Sequence, residues 1–329
     1  MTPAPNDRPR KRLNTPRSFA QRLPERVIEL LLAGCGFLSI VVTVAIVLVV
    51  GYGSVQFFAD PKISVFYFFT GAEWSAGFEH ARYGVLPLVV GTMMVAGIGA
   101  VVALPIGLTT AIYLSGYASP RLRNIVKPAL ELLAGVPTVV YGYFAVSTVT
   151  PFLAWFVPGL EHPYNQLSGG LVVGIMILPM ITSLSEDALR AVPGSLHEAS
   201  YALGATRFET SVKVIVPAAL SGVTASFILA ISRAVGETMA VSLACGDRPK
   251  LSLDPREGIA TMTSFIVRIA KGDVQHGSTD FNSLFAVAGV LFLMTLSMNM
   301  IPVRIDHGFK TVRLRIRNNK KNSRSKMVK

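Results

Sequence analysis

Long apolar runs, each broken by a short charged segment, alternate along this chain. Within the runs the apolar residues follow neither the period of 2 of a half-buried strand nor the one-sided stripe of a surface helix. A helix that is apolar all round is a core or membrane element, and a bilayer crossing takes roughly 20 such residues. Six candidate spans result, at about 27–53, 84–114, 127–154, 168–185, 217–245 and 283–303. Small residues recur inside them, as in "GTMMVAGIGAVVALPIG", where helices would pack closely in lipid. Pro105, Pro137 and Pro179 are expected to kink or break their helices. The predicted class is an all-α, polytopic integral membrane protein with six transmembrane helices.

Composition sharpens this. The chain has 329 residues, of which 51% are hydrophobic and only 15% charged, with a mean hydropathy of +0.51. Soluble domains carry about 25% charged residues. The net charge of +12 suggests nucleic acid at first sight. The cations, however, gather at the ends: seven between Arg8 and Arg26, and ten between Arg304 and Lys329. Basic flanks beside spans mark the cytoplasmic side and can touch anionic lipid heads, and no nucleic-acid-binding motif accompanies them. Three regions follow: a basic segment at 1–26, a membrane domain at 27–305 with a long cytoplasmic loop at 186–216, and a basic tail at 306–329.

The loops set the topology. Loops 115–126 and 186–216 carry Arg121 and Arg123, and Arg190, Arg207 and Lys213, whereas loop 155–167 has neither Lys nor Arg. The alternation places both termini in the cytoplasm. The first apolar run is expected to be retained as a span, because the segment before it is long, rich in Pro and Arg, and followed by no A-x-A-like cleavage site. Loop 246–282 contains "GIATMTSFIVRIA", too short to cross, and reads as an interfacial or re-entrant helix.

Catalytic signatures are missing. There is no G-x-x-x-x-G-K-[ST], no H-E-x-x-H and no G-x-S-x-G. Cys35 and Cys245 lie in apolar runs without metal-type spacing, and the five histidines are scattered. No catalytic residue, metal ligand or bound cofactor is expected of this chain.

The cytoplasmic loop carries a helical pattern. In "SEDALRAVPGSLHEASYALGATRFETSVKVIVP", Pro193 and Gly194 make a turn, and Ser195 can cap a helix at 196–203 with Glu198 completing a capping box. Gly204 fits the stop, and a second helix restarts near Thr206 and runs to Pro217. By itself this is either a solvated connector or a knob for a partner's groove.

"EASYALGATRFETSVKVIVP" resembles the EAA loop of binding-protein-dependent ABC importer permeases. Glu198, Ala199 and Ser200 open it, Leu203, Gly204 and Ala205 continue it, and Val214, Val216 and Pro217 close it at the family's spacing. Ser200 stands where the pattern has a second alanine. "ELLAGVPTVVYGYFA" and "SRAVGETMAV" are similar to the PstC-type permease subunits of phosphate-specific importers, a likeness running from about residue 60 to 305. "EWSAG" departs from that family's usual Trp-Asn-Pro in an outer loop. The resemblance implies an ABC importer permease fold working with a PstA-like second permease, two copies of a cytoplasmic ATPase and an extracytoplasmic phosphate-binding protein. ATP would be used by the ATPase alone, and residues 198–200 and 203–205 would couple the two.

The fifth run, "FILAISRAVGETMAVSLA", contains Arg233 and Glu237. A charge in mid-bilayer costs several kcal/mol and should face the bundle interior or a water-filled path. Four residues apart on one helix, the two would share a face. One reading is a buried ion pair that fixes packing; the other is a way-station for phosphate, which a guanidinium fork matches. Relatives of the PstC type implicate this Arg and Glu in transport. Glu237 would compete for Arg233 and accept a hydrogen bond from a protonated phosphate oxygen. The alternatives are a permease for sulfate or molybdate, an anion channel working without ATP, and a membrane scaffold.

Overall fold

The computed structural model describes residues 19–302 apart from 78–80 and 273, and side chains from residue 26 onward. The basic tail and most of the basic N-terminal segment lie outside the described residues. Residues up to Tyr52 and residues from Gly53 onward form two compact units.

The first unit is the greater part of α1 (Phe19–Phe58). Its side chains from 26 to 49 are exposed and almost wholly apolar, and the stretch Arg26–Phe58 is long enough to cross a membrane.

The second unit begins with the end of α1, then α2 (Val65–Thr70), α3 (Leu86–Gly116), α4 (Pro120–Ala134) and α5 (Thr138–Ala154). It continues with α6 (Gln166–Arg190), α7 (Gly194–Ala202), α8 (Arg207–Ala218), α9 (Leu220–Val235), α10 (Met239–Ala244), α11 (Met262–Lys271) and α12 (Thr279–Pro302). α1, α3, α6 and α12 qualify as crossings by themselves, and the bent pairs α4–α5 and α8–α9 raise the number to six.

Two predicted spans change shape. The run 127–154 is not one helix: α4 and α5 meet at 87°. Gly135 caps α4, and Pro137, which has no N–H to continue a ladder, opens α5. α4 holds Arg121, Arg123, Lys127 and Glu131 and buries none of its residues, so the apolar part of this bent pair is α5. The fourth run is longer than 168–185, because α6 continues to Arg190. Pro105 and Pro179, expected to kink or break their helices, lie within α3 and α6, which continue past them.

The centre of the second unit is the packing of α3 against α6. It depends on glycines at the contact: a Cβ on Gly99 would stand 2.8 Å from the Gly170 carbonyl oxygen and 3.0 Å from the Gly174 nitrogen. Close backbone approach through small residues is how helices associate in lipid, where apolar burial gives no net drive. Val95, Ala103, Val173 and Ile177 fill the interface, and Ala230, Ala234 and Val241 join from α9 and α10.

A second core lies toward the outer face. Phe57, Phe68, Trp74, Tyr83 and Phe265 meet edge to face, the geometry that opposes ring quadrupoles favourably. Trp74 belongs to the stretch that departs from the family pattern, and is buried here. Tyr83 donates to Asp280, and Thr279 Oγ1 donates to Asp60 at 2.6 Å, so the start of α12 is pinned to this cap. α11 is the short apolar segment of loop 246–282. It does not cross, but buries Met262, Phe265 and Ile269 against the cap.

Candidate functional site: an interrupted helix and a cytoplasmic helical loop

The fifth run is bent by 73° between α8 and α9 and interrupted again within the membrane. α9 stops at Val235, and Gly236 caps it with its N–H on the Ser232 and Ala234 carbonyls. α10 starts at Met239. Three residues, Gly236, Glu237 and Thr238, therefore form an unwound step between the 16 residues of α9 and the 6 of α10. Gly disfavours the helix interior, and Glu237 stabilises the restart: its Oε1 accepts the Ala240 N–H at 3.3 Å. The Glu237 carbonyl, left without a helical partner, accepts from Thr263 Oγ1 at 2.8 Å. The Met262 N–H donates to Thr92 Oγ1 at 3.0 Å, so the start of α11 is clamped between α3 and the break. Unwound backbone inside a membrane is tolerated where the protein supplies such partners.

Arg233 lies in the last turn of α9 and is exposed, with buried Ala234 and Val235 beside it. Among the described residues it makes no ion pair. Glu237, half-buried, lies beyond the end of α9 and so does not share a helical face with Arg233. The structure places both charges at one break but does not join them as a pair. The reason is the cap at Gly236, which ends the helix that a spacing of four residues presupposes. Beyond α10 a cavity of about 430 Å³ is lined by His162, Tyr164, Asp247 and Arg248. Burial raises the Asp247 carboxyl above its ordinary value, opposed by Arg268 3.1 Å away.

The cytoplasmic loop folds as a short helix and a return. α7 ends in a paired cap: the Gly204 N–H reaches the Tyr201 carbonyl at 2.9 Å and the Ala205 N–H reaches that of Ser200 at 3.2 Å. Gly204 has φ +83°, a conformation that favours glycine. The predicted capping box at Ser195 is absent, since the N-cap is Pro193 and makes no side-chain bond. The box forms instead at the start of α8, where Thr206 and Glu209 cap each other's backbone. Thr206-Arg-Phe-Glu carries the same Ser/Thr-x-x-Glu signal, so this box was open to sequence reading. These bonds, the first from the Thr206 backbone, and Lys213 pull the Glu209 carboxyl down to about 2.

Of the loop residues singled out from the sequence, Glu198 and Ala199 are exposed, Ser200 is buried and Ala205 is intermediate. Leu203 is 90% exposed and Phe208 68%. Ser200 Oγ meets Thr210 Oγ1 at 2.8 Å, joining α7 to α8. α8 contains a π-type turn at Thr210–Ile215, and α5 another at Ala145–Val149.

Glu186 was missed from the sequence, where it fell at the edge of a loop. On the extended α6 it is 0% exposed. Arg123 Nε donates to its Oε1 at 2.5 Å, Lys127 Nζ lies 3.2 Å from Oε2, and Arg190 reaches within 3.6 Å. Lys127 also meets Asp187 at 2.9 Å. α4 and the end of α6 are thus joined around one buried carboxylate.

A bundle of membrane helices with an interrupted central helix and a capped helical loop on its cytoplasmic side defines the class of ABC importer permeases. A chain of a bacterial alginate ABC transporter, solved with its alginate-bound periplasmic protein, matches at a TM-score of 0.59 and 16% identity over 86% of this chain and 98% of that one, which shows the fold. The family model described as binding-protein-dependent transport system inner membrane component matches residues 103–310, and the chain belongs to that family. It is 36% identical over 268 residues to the probable ABC transporter permease protein YqgH of Bacillus subtilis, covering 81% of this chain and 86% of that one. It is 32% identical over 248 residues to the phosphate transport system permease protein PstC of Mesorhizobium japonicum, covering 70% and 75%. The chain is therefore a multi-pass membrane subunit of an importer and not an enzyme; ATP hydrolysis belongs to a partner.

Proposed function

We propose that this chain is the PstC-type permease of an ATP-driven inorganic phosphate importer. It would form the translocation path with a PstA-like second permease, two copies of a cytoplasmic ATPase acting from inside and a phosphate-binding protein delivering from outside. The observation that carries the reading is Arg233: a guanidinium in the last turn before the break of an interrupted membrane helix, with no carboxylate paired to it among the described residues. Such a charge in lipid is costly, and an exposed position suits it to a path shared with a second subunit. Its planar fork matches two phosphate oxygens. A single cation admits the anion without trapping it, as conduction requires. Glu237, already engaged with α10, would bond a protonated phosphate oxygen that sulfate lacks at neutral pH. The PstC name of a 32% identical relative supports phosphate over other oxyanions.

On the cytoplasmic side, Glu198, Ala199, Ser200, Leu203, Gly204 and Ala205 form the coupling element. Leu203 and Phe208 would enter a groove on the ATPase, and the Ser200–Thr210 bond would carry its movement into α8 and α9.

Labelled-phosphate uptake by cells carrying Arg233→Gln, at matched levels of assembled complex and with sulfate and molybdate as competitors, tests this. Uptake is expected to fall at least about tenfold, since a charge-assisted contact of roughly 1.5–3 kcal/mol is lost. Full uptake by the variant would reduce Arg233 to packing. Wild-type uptake blocked by sulfate or molybdate would reassign the ion, and uptake persisting without the ATPase would make the protein a channel.

A further inference from the structure

Under the coupling loop, where α3, α4, α6, α7 and α8 meet, lies a cavity of about 540 Å³. Its lining divides by chemistry. Arg123 from α4, Arg190 from α6 and His197 from α7 line it, with Asn124 as a neutral donor and Ser211, whose hydroxyl donates to the Arg207 carbonyl at 2.9 Å, beside them, while Ile215 and other aliphatic groups line the rest. Among the described residues no carboxylate lines it. Glu186, the counter-charge, is buried behind the arginines.

The local balance leaves positive charge over. Three cations, Arg123, Lys127 and Arg190, face two carboxylates, Glu186 and Asp187, and Lys127 bridges both acids. Arg123 uses only Nε on Glu186, so its two terminal nitrogens have no acceptor among the described residues. Arg190 reaches the same carboxylate only at 3.6 Å, too long for a hydrogen bond. Two guanidinium groups with donors to spare, in a part-apolar hollow, are the chemistry that binds a phosphate group.

We propose that this cavity is a phosphate-group site, separate from Arg233, whose occupant ties α4 and α6 to the coupling helix α7. The group comes either from free cytoplasmic phosphate or from the head of an anionic lipid, whose glycerol and chains would suit the aliphatic wall. Arg233 lies on α9 and is not part of the lining, so loss of the transport path and loss of this site can be told apart.

The test uses the purified complex of both permeases and the ATPase. In neutral detergent, its melting temperature is titrated with potassium phosphate against potassium chloride at equal ionic strength. In parallel, the complex is passed from phosphatidylglycerol nanodiscs into detergent and its retained lipid is measured. Wild type is compared with Arg233→Gln and with the double variant Arg190→Gln/His197→Gln. Free phosphate as occupant predicts a saturable rise in wild type and Arg233→Gln, with half-saturation weakened about tenfold or more in the double variant. A lipid occupant predicts retained phosphatidylglycerol in the first two proteins, lost in the double variant, with no phosphate response. Ser211→Leu, which fills the hollow from α8 without breaking an ion pair, should reproduce the loss and decides the matter if the double variant fails to assemble. Binding of neither ligand to wild type, or binding unchanged by the double variant and by Ser211→Leu, overturns the proposal, as does a phosphate response lost only in Arg233→Gln.

Discussion

Ser200 stands where the family pattern has alanine, and Thr210 explains why a hydroxyl is accommodated there. The two are buried and bonded at 2.8 Å. Ser200→Ala leaves the Thr210 hydroxyl buried without that partner, at a cost of about 1 kcal/mol. Hydrogen exchange at the start of α8 should accelerate about fivefold, and Ser200→Ala/Thr210→Val should recover most of the protection because no orphan remains. Unchanged exchange in the single variant would show that the bond contributes nothing. Glu237→Gln keeps an oxygen for the Ala240 N–H, so α10 should start at the same residue. The amide can donate to sulfate as well as to phosphate, and discrimination between them in uptake should therefore narrow. An uptake ratio equal to wild type would remove Glu237 from ion selection.

At the scale of the element, α8 is held at its start by the Thr206–Glu209 box, and the box has a pH signature. The Glu209 carboxyl lies at about 2 against an ordinary value of 4.5. A lowered value means that its contribution is complete above pH 4.5 and lost as pH falls toward 2. Glu209→Gln should lose the charged part of that contribution at all pH values. Wild type and variant should converge in the exchange rates of 206–210 on acidification through this window; curves that stay parallel would show that the carboxylate is not the capping group. α9 and α10 show the complementary case. A run that is mostly apolar by composition is split by one glycine and one capping carboxylate, and its largest functional consequence is that Arg233 and Glu237 leave a common helical face.

For the whole molecule, the buried carboxylate of Glu186 holds α4 and α6 together beside the capped helical loop. Glu186→Gln removes the counter-charge of three cations. Arg123 and Arg190 are partly exposed and can hydrate, so the cost falls below that of a fully buried pair, at roughly 1–3 kcal/mol. The complex should melt several degrees lower and turn over more ATP per phosphate transported. A variant with wild-type melting and coupling would make the cluster incidental.

What the sequence determined by itself follows from terms that are local or one-dimensional. Transfer into lipid depends on the composition of about 20 neighbouring residues, so the crossings and the cytoplasmic side were legible from apolar runs and from Lys and Arg counts. The stop at Gly204 was legible because a left-handed cap is a property of one residue. The spacing of residues 198–217 carried the family. The tertiary structure decided the rest. That Glu186 is buried, and not a loop residue, depends on Arg123, 63 positions away. That the fifth run breaks at Gly236 depends on Thr263 taking the freed Glu237 carbonyl, 26 positions on. Charge burial and backbone satisfaction are settled by partners distant in the chain, and no window of neighbouring residues contains them.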